Sequence, residues 1–175
     1  MNEVIQAMET RRSIRSYKPD MVPDEIIDQI VEAGTYAASG MGCQSPIIVA
    51  VTNREMRDRL ARMNAKIGGW KADFDPFYGA PAVLIVLADR ARVTAVYDGS
   101  LVMGNLMLAA HALGIGSCWI HRAKEEFDSE EGKQILAALG IQGDYEGIGH
   151  CILGYEQQPA APAAPRKAGR VFRIR

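Results

Sequence analysis

The residues with the most chemistry to offer lie early, in ETRRSIRSYKPD (9–20). Arg11, Arg12 and Arg15 crowd together in a chain of 20 Lys and Arg against 21 Asp and Glu, a formal net charge of −1. If residues 11–15 are extended, their side chains alternate faces. Arg11, Ser13 and Arg15 then share one side and Ile14 turns inward. Two guanidinium forks flanking a hydroxyl make a cradle for a phosphate or another planar anion. A second basic group, Arg166, Lys167 and Arg170, lies near the other end of the chain and can converge on the same anion. Taken alone, the arginines read equally well as a solvated surface.

Other phosphate and metal motifs are missing. There is no G-x-x-x-x-G-K-[ST] sequence, and neither GIGSCW nor GIGH has the G-x-G-x-x-G spacing of a dinucleotide loop. Cys43, Cys118 and Cys151 are far apart, and no Cys or His pair has zinc-ligand spacing. Three cysteines with no export signal read as reduced thiols. Net charge near zero disfavours a broad nucleic-acid surface. No apolar run approaches the ~18 residues of a membrane span. MNEVIQAMET lacks the basic start and apolar core of a signal peptide, so a cytoplasmic location is expected.

The elements that must position these groups follow from periodicity. At 175 residues and 48% apolar content, one folded domain is expected. Val4, Ile5 and Met8 predict a helix over 2–10, and Ile26, Ile27, Ile30 and Val31 another over 23–37 with Pro23 as its first residue. PIIVAVT (46–52), AVLIVLAD (82–89), IGSCWI (115–120) and GIGHCILGY (147–155) read as buried strands. Asn53 caps a helix over 54–67 whose basic residues face solvent. The loop 68–81 is aromatic. The segment 98–114 is apolar nearly all round and reads as a buried helix. Asp128 and Glu131 make a capping-box-like start for the next one. His111 and His150, on a buried helix and a buried strand, read as structural.

After Tyr155 the composition changes. EQQPAAPAAPRKAG cannot build a core, but at ~3.1 Å per residue it can reach far. RVFRI then reads as a small strand with no local partner. Residues 1–155 are therefore one domain, and 156–175 a linker and arm of that domain. The helix at 98–114 needs cover on both sides, so a homodimer is expected with this helix at or near the interface.

Taken in order, RRSIRSY, AASGMGCQSP, GAPAVLIVLAD, DGSLVMGNLMLAAHALGIGSCWI and IGHCILGY resemble the nitroreductase family of FMN-dependent oxidoreductases over nearly the whole chain. The resemblance implies an α+β fold: an α/β sandwich with a central mixed sheet enclosed by helices. It also implies an intertwined homodimer with C-terminal arm exchange and two FMN sites at its interface. Arg11, Arg12, Ser13 and Arg15 match the family's flavin-binding stretch. Ser39, Gly40, Met41 and Gln44 match the loop that approaches the flavin from the other subunit. Trp119, Ile120 and His121 fall against the flavin ring, and Arg166 and Lys167 match a basic pair on its phosphate. The chain departs from the common pattern at Ala38-Ser39 and Gly42, and at His121-Arg122. The loop 68–81 falls where many members carry a longer active-site cover.

On this resemblance, hydride passes from NADH or NADPH to FMN and on to a nitroaromatic, quinone or similar small acceptor. Arg15 is the candidate cation for the negative charge that reduction places on the flavin's N1–C2 edge. His121 is the candidate proton donor, histidine being the side chain that changes charge near neutral pH, or else only a packing neighbour of the flavin. No side-chain nucleophile is expected, nor a metal, nucleic-acid or membrane partner. Two rivals remain: a flavin-binding or flavin-processing protein on the same fold, and an anion-binding module. Bound flavin separates the last from the others, and NAD(P)H oxidation separates enzyme from binder.

Overall fold

The computed structural model describes residues 2–175. Helix α1 (Glu3–Thr10) is capped by Asn2, whose Oδ1 accepts from the Val4 N–H at 3.0 Å. Helix α2 (Asp24–Thr35) begins one residue after Pro23, which is its N-cap and not its first turn. A 3-10 turn at Gly40–Gly42 leads to β1 (Ile47–Val51). Then follow α3 (Arg54–Ile67), capped by Asn53, β2 (Ala82–Asp89) and α4 (Ala95–Ala112). Strand β3 (Gly116–Ile120), α5 (Ala123–Asp128), α6 (Glu130–Ala138) and β4 (Tyr145–Gly154) complete the domain.

The strands form one sheet in the order β1-β2-β4-β3, antiparallel throughout. The sheet is antiparallel where a mixed one was expected; among the described residues the parallel pairing is an isolated bridge outside the strands, Ser13 to Ser117, at the β3 edge. The pleat explains the sandwich. Val83, Ile85 and Leu87 of β2 turn to one face, where they pack with Leu60 of α3, Phe127 of α5 and Ile135 of α6. Ala82, Leu84, Val86 and Ala88 turn to the other, against Ile30 of α2 and Met103 and Leu106 of α4. This continuous burial is what an apolar run with no alternation requires.

Four details differ from the sequence pattern. Strand β1 is a sheet edge, half-buried along most of its length. Arg57 of α3 is buried, because the loop 68–81 closes over it: Nε donates to the Ala80 carbonyl at 2.9 Å and Nη2 pairs with Asp75 at 2.5 Å. Helix α5 was not foreshadowed, and the cap of α6 is Ser129, whose Oγ accepts from the Gly132 N–H at 3.1 Å. RVFRI forms no strand within the chain, and Phe172 is 89% exposed. The tail departs from β4 through a bridge between Glu156 and Tyr17 and a bond from the Gln157 N–H to the Ser16 carbonyl at 3.1 Å.

Cys118 and Cys151 lie buried on opposite faces of the sheet, both free thiols. Burial pushes the Cys151 thiol up to about 12, so it stays protonated and unreactive. Burial also raises the Tyr17 phenol, which donates to the Ile14 carbonyl at 2.8 Å. Among the described residues no helix is long and apolar enough to cross a membrane. Apolar side chains do remain exposed on α1 (Val4, Ile5, Met8) and on the outer side of α4 (Val96, Tyr97, Leu101).

Candidate functional site

The end of α1 sets the arginine segment. Arg11 leaves the helix with ψ 134°, and the Arg12 guanidinium folds back onto the carbonyls of Glu9 (2.8 Å) and Arg11 (2.5 Å). Arg12 therefore closes the helix with one of its guanidinium nitrogens. The chain then runs along the β3 edge, the Ile14 N–H donating to the Ser117 carbonyl at 2.9 Å. Ile14 is buried while Ser13 and Arg15 are exposed, as alternation predicts. Arg11 is half-buried, and its Nη1 is buried without a hydrogen-bond partner. Among the described residues no carboxylate lies within 4 Å of Arg11, Arg12 or Arg15, whereas Arg54, Arg57, Arg59, Arg90 and Arg92 all have one. An orphaned buried guanidinium nitrogen is costly unless an anion completes it.

Because this segment hems β3, it lies beside the strand that carries Trp119, Ile120 and, just beyond its end, His121. The Trp119 indole lies across Gly149 of β4, where a Cβ would collide with it. Ile120 is 7% exposed and its side chain belongs to the core, which leaves its backbone for any ligand. His121 is exposed. Arg122 follows in the left-handed region (φ 80°), its guanidinium 4.2 Å from the centre of the Trp70 ring. Trp70 begins an edge-to-face series with Phe74 (4.9 Å) and Tyr78 (6.2 Å), so the loop 68–81 stands against the turn at 121–122. Asp75 braces that loop by accepting from the N–H groups of Phe77 and Gly79.

The loop 39–44 is a third group, and it is strained. Met41 (φ 53°) and Gln44 (φ 50°) occupy the left-handed region, and Met41 is 94% exposed. Such conformations persist only where neighbours over-determine them. Here Asp98, buried on α4, accepts from the Gly40 N–H at 3.0 Å and from the Thr94 hydroxyl at 2.9 Å, and Ser39 Oγ accepts from the Gln44 N–H at 2.9 Å. Asp98 is absent from the candidates above; its one signal in the sequence is that it is a lone acid near the start of an apolar helix.

Helix α4 sets the spacing between two of these groups. The Thr10 hydroxyl bonds His111 Nε2 at 2.8 Å, which fixes the start of the arginine segment at the C-terminal end of α4. Asp98 fixes the 39–44 loop near the N-terminal end. Asp98 and His111 are 13 positions apart, about 20 Å along a helix at 1.5 Å per residue. The 39–44 loop is thus held about 20 Å along α4 from Thr10, the residue that precedes the arginine segment. Arg166 and Lys167 stand on the exposed tail, where the Arg166 guanidinium donates only to the nearby Ala164 carbonyl.

Residues 8–155 match the nitroreductase family model. The chain belongs to the nitroreductase family. Its fold superposes with a TM-score of 0.89 on an FMN-bound nitroreductase from Bacteroides fragilis, 29% identical, over 100% of both chains. A relative from Methanothermobacter thermautotrophicus, named for NADH dehydrogenase or NAD(P)H nitroreductase activity, is 34% identical over 121 residues, 67% of this chain. The FMN reductase [NAD(P)H] of Bacillus subtilis is 28% identical over 139 residues, again 67% of this chain. This nitroreductase-family chain spans 60% and 53% of the lengths of those two relatives.

Proposed function

We propose that this chain is an FMN-dependent oxidoreductase that takes hydride from NADH or NADPH and delivers it to a nitroaromatic, quinone or similar small acceptor, acting as a homodimer. The observation that carries the reading is the uncompensated pair Arg11 and Arg15 beside β3, with Arg11 Nη1 buried and orphaned. A phosphate monoester with close to two negative charges completes those donors. The residues present therefore fit the FMN phosphate, and the name of the Bacteroides fragilis neighbour, which has FMN bound, agrees.

When bound, FMN supplies the hydride chemistry; the chain binds, orients and tunes it. Arg11 and Ser13 hold the phosphate. Arg15, two positions on along the same face, would present a fixed positive charge to the bound ring. Trp119, Ile120 and His121 border the ring, Ile120 through its backbone. His121, exposed at the end of β3, is the side chain placed to lend a proton to an acceptor. The loop 68–81, braced on Arg57 and stacked on Arg122, limits access from that side.

Support for the homodimer reading comes from Thr10 and the 39–44 loop standing at opposite ends of α4: on that reading a partner's loop completes the site. The exposed apolar faces of α1 and α4 suit burial against a second copy. Strand β1 offers an unpaired edge beside a groove of about 450 Å³ lined by Val49, Met56, Leu60, Ile135 and Leu139. A partner's Val171, Phe172 and Ile174 suit that edge, with Arg166 and Lys167 brought to the phosphate.

The test is direct. The purified protein should release FMN, identified by mass at one per subunit, and should oxidise NADH or NADPH when a nitroaromatic or quinone is added. A protein that takes up no FMN overturns the reading. FMN binding without NAD(P)H oxidation leaves a flavin-binding or flavin-processing protein on this fold.

A further inference from the structure

We infer that Asn64 is a positioning residue which, backed by Glu126 and His150, fixes the His121–Arg122 peptide at the edge of the proposed flavin site. The functional consequence rests on that site; the structural claim does not.

Arg122 is a non-glycine residue at φ 80°, a conformation that does not persist unaided. The structure holds it from two sides. Outside, its guanidinium stacks on Trp70. Inside, the Asn64 amide spends one proton on the His121 carbonyl at 2.8 Å and the other on Glu126 Oε1 at 2.5 Å. Glu126 Oε2 stands 3.2 Å from His150 Nε2 without forming a hydrogen bond. Asn64, Glu126 and His150 are wholly shielded from solvent, the imidazole lying between Phe77 (5.2 Å) and Phe127 (6.5 Å). They come from α3, α5 and β4, so one polar cluster ties three elements to one carbonyl.

Peptide geometry gives the tie its consequence. The described peptide bonds are all trans, so a carbonyl turned into the core turns the N–H of the same peptide outward. The Arg122 N–H faces away from Asn64 and has no acceptor among the described residues. Helix α5 starts at the next residue and is pressed onto β4, where a Cβ at Gly147 would collide with the Ala123 carbonyl. Asn64 therefore sets the direction of an outward amide beside His121, and Glu126 sets the direction of Asn64.

The test is hydrogen exchange on the full chain, with and without added FMN. Asn64→Leu should raise exchange of the 121–126 amides at least tenfold while other regions stay within twofold, and should weaken FMN binding about tenfold. The single variant strands a buried carboxylate, so the double variant Asn64→Leu/Glu126→Leu, which strands none, is measured alongside and should show the same local rise. Glu126→Gln keeps an acceptor for Asn64 and should hold exchange at the wild-type level. Leu106→Ala, a cavity in the opposite core, controls for stability loss alone. Wild-type exchange at 121–126 in the double variant overturns the inference. A rise spread over the whole chain, as in the Leu106 control, overturns it too. If the wild-type protein binds no FMN, the functional reading fails, and the exchange of the flavin-free variants still decides the role of Asn64.

Discussion

Arg11→Ala should weaken FMN binding about ten- to a hundredfold without lowering the melting temperature of the flavin-free protein. A charge-assisted hydrogen bond contributes roughly 1.5–3 kcal/mol, and each 1.4 kcal/mol is a factor of ten in affinity. The unchanged stability is the sharper half of the expectation. Arg11 has no acidic partner among the described residues, and its Nη1 is buried with nothing to bond. Truncation therefore removes an unmet donor from the flavin-free fold and breaks no side-chain hydrogen bond or ion pair among the described residues. Flavin fluorescence titration and thermal unfolding of the two proteins read the two quantities separately. Affinity within twofold of wild type makes Arg11 a surface residue and removes the anion cradle. A large loss of stability makes it a structural one.

Deleting residues 158–175 should separate the subunits and weaken FMN binding at least tenfold, in one step. The cut keeps Glu156 and Gln157, which pair with Tyr17 and Ser16 and belong to the domain itself. Beyond them the chain is exposed to its last residue, and Val171, Phe172 and Ile174 meet no core of their own. On the arm-exchange reading, those residues cover the partner's β1 edge, and the same tail delivers Arg166 and Lys167. Oligomeric state and cofactor affinity should therefore fall together. Sedimentation and flavin fluorescence on the truncated chain give both. A truncated protein that stays dimeric and keeps its affinity shows that the tail serves neither role.

Much of this architecture is written in local pattern. Strands β1 and β2 are apolar runs rich in Val and Ile, continuous in β2 because both of its faces are covered, and Ile14 between Arg11, Ser13 and Arg15 betrays its extended backbone by alternation alone. What escaped the pattern depends on contacts distant in sequence. Helix α5 is six residues long and mostly polar, and it follows a left-handed arginine; Glu126 and the bare Gly147 hold it in place, and neither has a periodic signature. Arg57 looks like its solvated neighbours on α3 until Asp75 and the Ala80 carbonyl fold over it. The edge position of β1 is a matter of strand order, to which its own five residues are indifferent. Asn64 gave no hint at all, since nothing near it in sequence marks it as the donor to a carbonyl 57 positions away.

The length of α4 has one more consequence. The arginine segment starts at one end and the 39–44 loop is held near the other, so on the dimer reading a lone chain would carry two half-sites and no whole one. On the dimer reading, the flavin is then also a fastener. Linkage requires that FMN tighten the pairing of subunits by the same factor by which pairing tightens FMN. Cofactor supply and protein concentration thus become interchangeable controls on how much of the protein is assembled, and a cell short of flavin would hold more of it as idle single chains.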